Sequence, residues 1–224
     1  MQREPLKSKD AELAGATLSF PADTASVHRP DIQSLTFNSR QLSTFSFLLE
    51  GLRNLRTTGT LTRSSTALCE AAIDRIDFGT ARVIVELGAG DGVITEHILK
   101  HLHPDGKVIA FEVSPELCAD MRAIGDSRLV VAEDSAENIR NWLDKVGADQ
   151  ADHVVSAIPF AALPKALGRA IVQAAKDTLR PGGCYNQVHY SLKTKSYYEE
   201  AFGQVEARRV WANLPPAWVL YCRR

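Results

Sequence analysis

The chain has 224 residues, 45% of them hydrophobic and 24% charged. That is the composition of one ample globular domain with an appendage, and it excludes a disordered chain, a collagen and a coiled-coil rod. Its 26 Lys+Arg against 27 Asp+Glu leave a net charge of -1, so no nucleic-acid partner is expected, since a grip on phosphates calls for a basic excess.

Residues 1–36 mix charge with Ala, Ser, Thr and Pro and show no periodicity, which reads as a weakly ordered N-terminal tail. The opening MQREPLKSKDAELAG has no apolar core of a secretory signal, and no run is long enough to span a membrane. A cytoplasmic protein is therefore expected. Residues 37–80 read as amphipathic helices. Leu42, Phe45, Leu48, Leu49, Leu52 and Leu55 recur at spacings of three and four and share one face. A break at Gly59 precedes a second helix, capped at Ser64 or Ser65 and running to about Ile76.

From residue 81 to 224 strands and helices alternate. Strands are predicted over Arg82–Leu87, Lys107–Val113, Arg128–Ala132, Asp152–Ile158 and Cys184–Tyr190. The helices between them are Val93–His103, Pro115–Ile124, Ala136–Val146 and Leu163–Leu179. A short helix near Ser196–Phe202 precedes two last strands, Val205–Trp211 and Ala217–Cys222. Continuous apolar strands alternating with helices predict an α/β fold with a mostly parallel sheet covered on both faces. Five residues join the last two strands, too few for a parallel crossover, so they should pair antiparallel.

The chemistry gathers at strand ends. Glu86-Leu87-Gly88-Ala89-Gly90-Asp91-Gly92 joins the first strand to a helix, where glycines let the backbone approach a ligand and the helix offers free amides. Val93 stands where a dinucleotide fingerprint needs its third glycine, which disfavours NAD or FAD. Glu112 ends the second strand, where a carboxylate can accept both hydroxyls of a ribose, and Asp134 follows the third. The fourth ends in Ser156-Ala157-Ile158-Pro159-Phe160, whose proline stops the strand. His97, His101 and His103 lack the companions of a metal site, and no metal is expected. Cys69, Cys118, Cys184 and Cys222 form no zinc or CxxC spacing and read as idle thiols in a reducing compartment. Trp142, Tyr197 and Tyr198 read as packing or surface residues.

With these features the chain resembles the class I S-adenosylmethionine-dependent methyltransferases over about residues 60–224. The E-L-G-A-G-D-G segment is similar to their first motif, and Leu179-Arg-Pro-Gly-Gly183 to the turn before their fifth strand. The resemblance implies a Rossmann-like, seven-stranded, mostly parallel sheet with an antiparallel C-terminal strand pair, and S-adenosylmethionine as cofactor. It puts Glu86, Gly88 and Gly90 around the methionine moiety, Glu112 at the ribose, and Asp134 with Ser135 at the adenine. Glu133-Asp134-Ser135 departs from the Gly-Asp-Ala common in the family.

Arg208-Arg-Val-Trp-Ala-Asn-Leu-Pro-Pro-Ala217 resembles the R-V-W-x-N-L-P-P-A element of bacterial phospholipid N-methyltransferases, and Gln187-Val-His-Tyr190 their Q-x-x-Y. Ala157 and Ile158 stand where that group has glycine and leucine. By this resemblance the substrate is the amine of a membrane lipid headgroup, phosphatidylethanolamine on the way to phosphatidylcholine, or an ornithine lipid. Ser156 and Tyr190 would be catalytic, and Pro159 and Arg209 would bind substrate. His189 is a weaker candidate proton acceptor, because strand alternation turns it away from Tyr190.

Between residues 37 and 63, Arg40, Arg53, Arg56 and Arg63 face one acid, Glu50. The helix at 37–56 can therefore lie on an anionic membrane, or pack on the sheet or lid the cofactor, and the resemblance tips the reading toward the membrane. The first option gives a peripheral protein on the cytoplasmic membrane face. An rRNA adenine N6-methyltransferase, with a similar fourth-strand motif, and a non-catalytic membrane- or partner-binding module are the alternatives.

Overall fold

The computed structural model describes residues 64–224. The expected tail at 1–36, the amphipathic segment at 37–56 and the approach to residue 63 lie outside the described residues.

The strands form where β-branched and aromatic residues run together: β1 (Val83–Leu87), β2 (Lys107–Glu112), β3 (Leu129–Glu133), β4 (Ala151–Ser156), β5 (Leu179–His189), β6 (Val205–Val210) and β7 (Ala217–Arg223). The helices are α1 (Thr66–Ile73), α2 (Val93–His101), α3 (Pro115–Arg122), α4 (Ile139–Lys145), α5 (Lys165–Thr178) and α6 (Lys195–Phe202). The Ser65 hydroxyl caps α1 by accepting from the Leu68 amide, and Ser114 does the same for α3, where Pro115 pre-sets the first turn.

The seven strands form one sheet in the order β3-β2-β1-β4-β5-β7-β6. β1 to β5 pair in parallel, and β7 lies antiparallel between β5 and β6. The expected seven-stranded, mostly parallel sheet and its antiparallel closing pair are both present.

Helices cover both faces of the central strands. Ile84, Val108, Ala110 and Val155 pack under Leu68, Ile94, Ile98 and Met121 from α1, α2 and α3. Val85, Phe111, Val154 and Tyr185 pack under Leu143, Ile171, Val172 and Tyr198 from α4, α5 and α6. α1 belongs to this core: the Asn186 amide donates to the Ala72 carbonyl and the Tyr221 hydroxyl to that of Ala71, both at 2.8 Å.

Most element ends shift by one to three residues from the sequence reading, and two of the differences have a visible cause. β4 stops at Ser156 rather than Ile158, because Ala157 leaves the ladder after its amide reaches the Leu87 carbonyl. β5 begins at Leu179, so the Pro-Gly-Gly stretch read as a turn is a bulge inside the strand. Pairing shifts from Ala151–Leu179 to His153–Cys184, Gly182 takes a φ of 76°, and a Cβ on Gly183 would stand 2.7 Å from the Asp152 carbonyl oxygen.

Candidate active site

The parallel strands deliver Leu87, Glu112, Glu133, Ser156 and His189 to one end of the sheet. The order reverses there between β1 and β4, and open α/β sheets bind ligands in such a crevice.

The loop after β1 carries positive φ at Gly88, Gly90 and Gly92 (72°, 63° and 80°). Gly88 needs its missing side chain for space as well. A Cβ there would lie 3.0 Å from Ile158 Cγ1 and 3.3 Å from the Ile158 amide nitrogen. The glycine loop and the Ser156–Phe160 turn thus lie too close for a side chain between them.

Beneath the loop lies Glu86, 1% exposed. Thr95 donates to its Oε2 at 2.6 Å, while Oε1 is buried with no hydrogen-bond partner. Burial pushes its pKa up to about 8; the Thr95 bond opposes the rise, and Glu112 and Asp91 add to it. With the folded pKa above the unfolded 4.5, the contribution of neutral Glu86 to stability is complete below about pH 4.5 and is lost as pH rises toward 8. The melting temperature of the protein without ligand should fall across this window, and Glu86→Gln should flatten the fall. A profile unchanged by the substitution would mean that Glu86 is ionised throughout.

Glu112 is 7% exposed, and its carboxylate is already engaged. Oε2 accepts the Gly90 amide at 2.9 Å; Oε1 accepts the amides of Val113 at 2.8 Å and Ser114 at 3.0 Å. A carboxylate has about four lone-pair directions, so one remains, on Oε2. The carboxylate expected at the ribose is thus already bound to three backbone amides.

Asp134 repeats the arrangement. Oδ1 accepts from the Ser135 amide at 2.7 Å and the Asn138 side chain at 2.8 Å, and Oδ2 from the Trp142 indole at 2.9 Å. One direction is again left. The Ser135 hydroxyl is turned instead to Glu137, as the cap of a 3₁₀ turn at Ala136–Asn138. Trp142, read as packing, does pack edge-on against Phe111 and also orients Asp134.

The turn after β4 departs from expectation at its first residue. Ser156 is fully buried; strand alternation sends its side chain to the Val154 face. Its hydroxyl lies 3.4 Å from the Ile158 amide, which donates to it. That hydroxyl is engaged within the turn. Gln187 supports the same turn by donating to the Ile158 carbonyl at 3.1 Å. Pro159 precedes a 3₁₀ turn, and Phe160 is buried against His189 and Tyr198. His189 Nε2 lies 2.9 Å from the Tyr198 hydroxyl and 3.3 Å from Thr194 Oγ1, and desolvation lowers its pKa to about 4. The Nε2 atom is engaged by Tyr198 and Thr194, and desolvation makes the ring a weak base, which counts against it as a proton acceptor.

Tyr190, 37% exposed, emerges just past β5. Burial raises its phenol pKa, opposed by a hydrogen bond with the Asn213 side chain. Arg209 lies on the exposed face of β6 with its guanidinium 3.9 Å from the Trp211 ring centre. The structure therefore brings the glycine loop, Glu86, Glu112 and the β4 turn together, with Asp134 and Tyr190 at the same sheet end and Arg209 on the neighbouring hairpin.

A family model described as a methyltransferase domain matches residues 84–183. Among curated proteins the chain is similar to the ornithine lipid N-methyltransferase of Singulisphaera acidiphila, 34% identical over 182 residues that cover 80% of this chain and 95% of that one. Among solved structures it resembles a precorrin-6y C5,15-methyltransferase from Geobacter metallireducens (TM-score 0.55, 16% identity, 69% of this chain and 86% of that chain). It also resembles the 16S rRNA N2 G1207 methyltransferase of T. thermophilus in complex with AdoMet and guanosine (TM-score 0.53, 21% identity, 73% of this chain and 44% of that chain). These two likenesses establish the fold.

Proposed function

Because the chain belongs to the class I S-adenosylmethionine-dependent methyltransferases, in the family of the Singulisphaera N-methyltransferase, we propose that its acceptor is the amino nitrogen of a membrane lipid headgroup, an ornithine lipid or phosphatidylethanolamine. The observation that carries this reading is the identity to that relative along nearly its whole length. The R-V-W-A-N-L-P-P-A element at residues 209–217 supports it.

The residues at this sheet end fit the cofactor on two grounds. The loop at Gly88, Gly90 and Gly92, with positive φ at each, lets the backbone come close to a ligand, and the buried Oε1 of Glu86 has no hydrogen-bond partner within the described residues. S-adenosylmethionine supplies a methyl group on a sulfonium, open to in-line attack. Glu86, Gly88 and Gly90 would hold its methionine part, Glu112 one ribose hydroxyl, and Asp134, with Ser135 setting the turn, the adenine amine.

The Ser156–Phe160 turn and Tyr190 form the wall toward the acceptor. An alkylammonium of reference pKa about 10.4 loses hydration there, which lowers that pKa and frees the lone pair. Alignment then supplies much of the rate. Pro159 stiffens the wall, and the aromatic face of Tyr190 tolerates the cation that forms. Arg209 offers its charge to a lipid phosphate. Residues 37–56 provide a further contact with an anionic surface, and the enzyme works as a peripheral protein on the cytoplasmic membrane face. No helix among the described residues is long and apolar enough to cross a membrane.

Purified enzyme with radiolabelled S-adenosylmethionine should label a total lipid extract and leave RNA unlabelled. Label in RNA alone would overturn the reading in favour of a nucleic-acid methyltransferase. Tyr190→Ala should slow methyl transfer by roughly tenfold, the scale of a desolvated cation–π contact, with S-adenosylmethionine affinity nearly unchanged. Tyr190→Phe should keep most of the rate. If affinity and rate fall together, Tyr190 belongs to the cofactor pocket instead.

A further inference from the structure

The β6–β7 hairpin was singled out in the sequence, and the chemistry above leaves its tip unused. β7 runs against the parallel strands, with Val210 opposite Ala217 and Trp218 opposite His189. The tip, residues 211–216, therefore emerges at the end of the sheet that carries the cofactor site. The exposed large hydrophobic side chains among the described residues are Tyr190, Trp211 and Leu214, and all three belong to this rim. Trp211 is 69% exposed and Leu214 76%.

The tip does not fold back to hide them, because Asn213 pins it. Its side chain, 4% exposed, accepts the Ser65 amide at 2.9 Å and donates to the Pro215 carbonyl at 2.8 Å. Arg209, on the same face as Trp211 and opposite Trp218, lies 3.9 Å and 5.3 Å from their ring centres. The neighbouring cations are neutralised, Arg208 by Asp74 and Arg75 by Glu206. Arg209 has no acidic partner among the described residues.

We infer that this tip is the element by which the enzyme docks on an anionic lipid bilayer, Trp211 and Leu214 entering the interface and Arg209 meeting a lipid phosphate. The inference rests on the lipid-headgroup reading above and adds how the headgroup reaches the site. Two apolar side chains on a short proline-stiffened tip are too small for a stable protein interface, which buries about 800 Å² per partner. They suit shallow insertion beside a cation, since tryptophan favours the boundary between acyl chains and water. Docking by the tip would set the mouth between Tyr190 and the β4 turn against the headgroups.

The test uses the full chain and phosphatidylethanolamine vesicles containing phosphatidylglycerol. W211S/L214S should weaken co-sedimentation by about tenfold or more, while its melting temperature, its S-adenosylmethionine affinity and its turnover of detergent-dispersed lipid stay at wild-type values. Vesicles of brominated lipid should quench tryptophan emission of the wild type, and W211F should lose that quenching while still binding. Undiminished sedimentation of W211S/L214S, or loss seen only in F45S/L49S, overturns the proposal and moves the contact to residues 37–56. Quenching through Trp211 without any labelling of lipid would keep the docking surface and overturn the substrate instead. Labelled lipid with unaltered sedimentation of W211S/L214S would do the reverse.

Discussion

Alanine at Gly88 is expected to lower S-adenosylmethionine affinity by more than tenfold and to reduce methyl transfer at least as much. Two costs add. A side chain at a φ of 72° is strained by about 1–2 kcal/mol; a free loop that relaxes this strain must restore it to bind, and tenfold in binding is only about 1.4 kcal/mol. The new Cβ also meets Ile158 at 3.0 Å on its side chain and 3.3 Å on its backbone. The side chain can yield, but the backbone nitrogen cannot without shifting the turn from Ser156 to Phe160. The substitution should thus move cofactor loop and acceptor wall apart together. Calorimetric titration and single-turnover methyl transfer read the two effects. Wild-type affinity in Gly88→Ala would show that the loop does not close on the cofactor.

Glu112→Ala should abolish detectable cofactor binding and, contrary to the expectation for a residue that only accepts a ribose, should also destabilise the fold. The amides of Gly90, Val113 and Ser114 all donate to this carboxylate, and removing it orphans them at about 1–3 kcal/mol where they are buried. For a chain of this size each kcal/mol lowers the melting temperature by roughly 2–4 °C, so a drop of several degrees is expected by scanning calorimetry. Glu112→Gln separates the roles. Its single carbonyl oxygen still accepts, so much of the stability should return. Its amide cannot accept a hydroxyl proton, and affinity should stay low. Full affinity in Glu112→Gln would remove Glu112 from the cofactor site.

These expectations differ from a reading of the sequence because the sequence names the acids without saying which lone pairs are spoken for. Glu112 and Asp134 were legible as carboxylates at strand ends, since β-branched runs mark the strands and a ligand crevice forms where such strands end. Their remaining acceptor directions depend on where amides and the Trp142 indole fall, which is set by how α4 and the glycine loop pack. The orientation of the Ser156 hydroxyl was hidden for a similar reason. Its parity with Val154 could be read from the strand, but the face on which the site opens could not.

By itself the sequence determined the order of strands and helices, the parallel sheet with its reversed final strand, and the glycine loop with acids at the ends of β2 and β3. Each of these is local: a side-chain period, a connection too short for a crossover, a glycine where a turn must tighten. The tertiary structure alone decided that Gly88 touches Ile158, that Pro-Gly-Gly is absorbed as a bulge, and that Asn213 reaches Ser65 across 148 positions of chain. These are encounters between segments far apart in sequence. Periodicity fixes which face a residue occupies within its own element, and only the packing of elements fixes what that face meets.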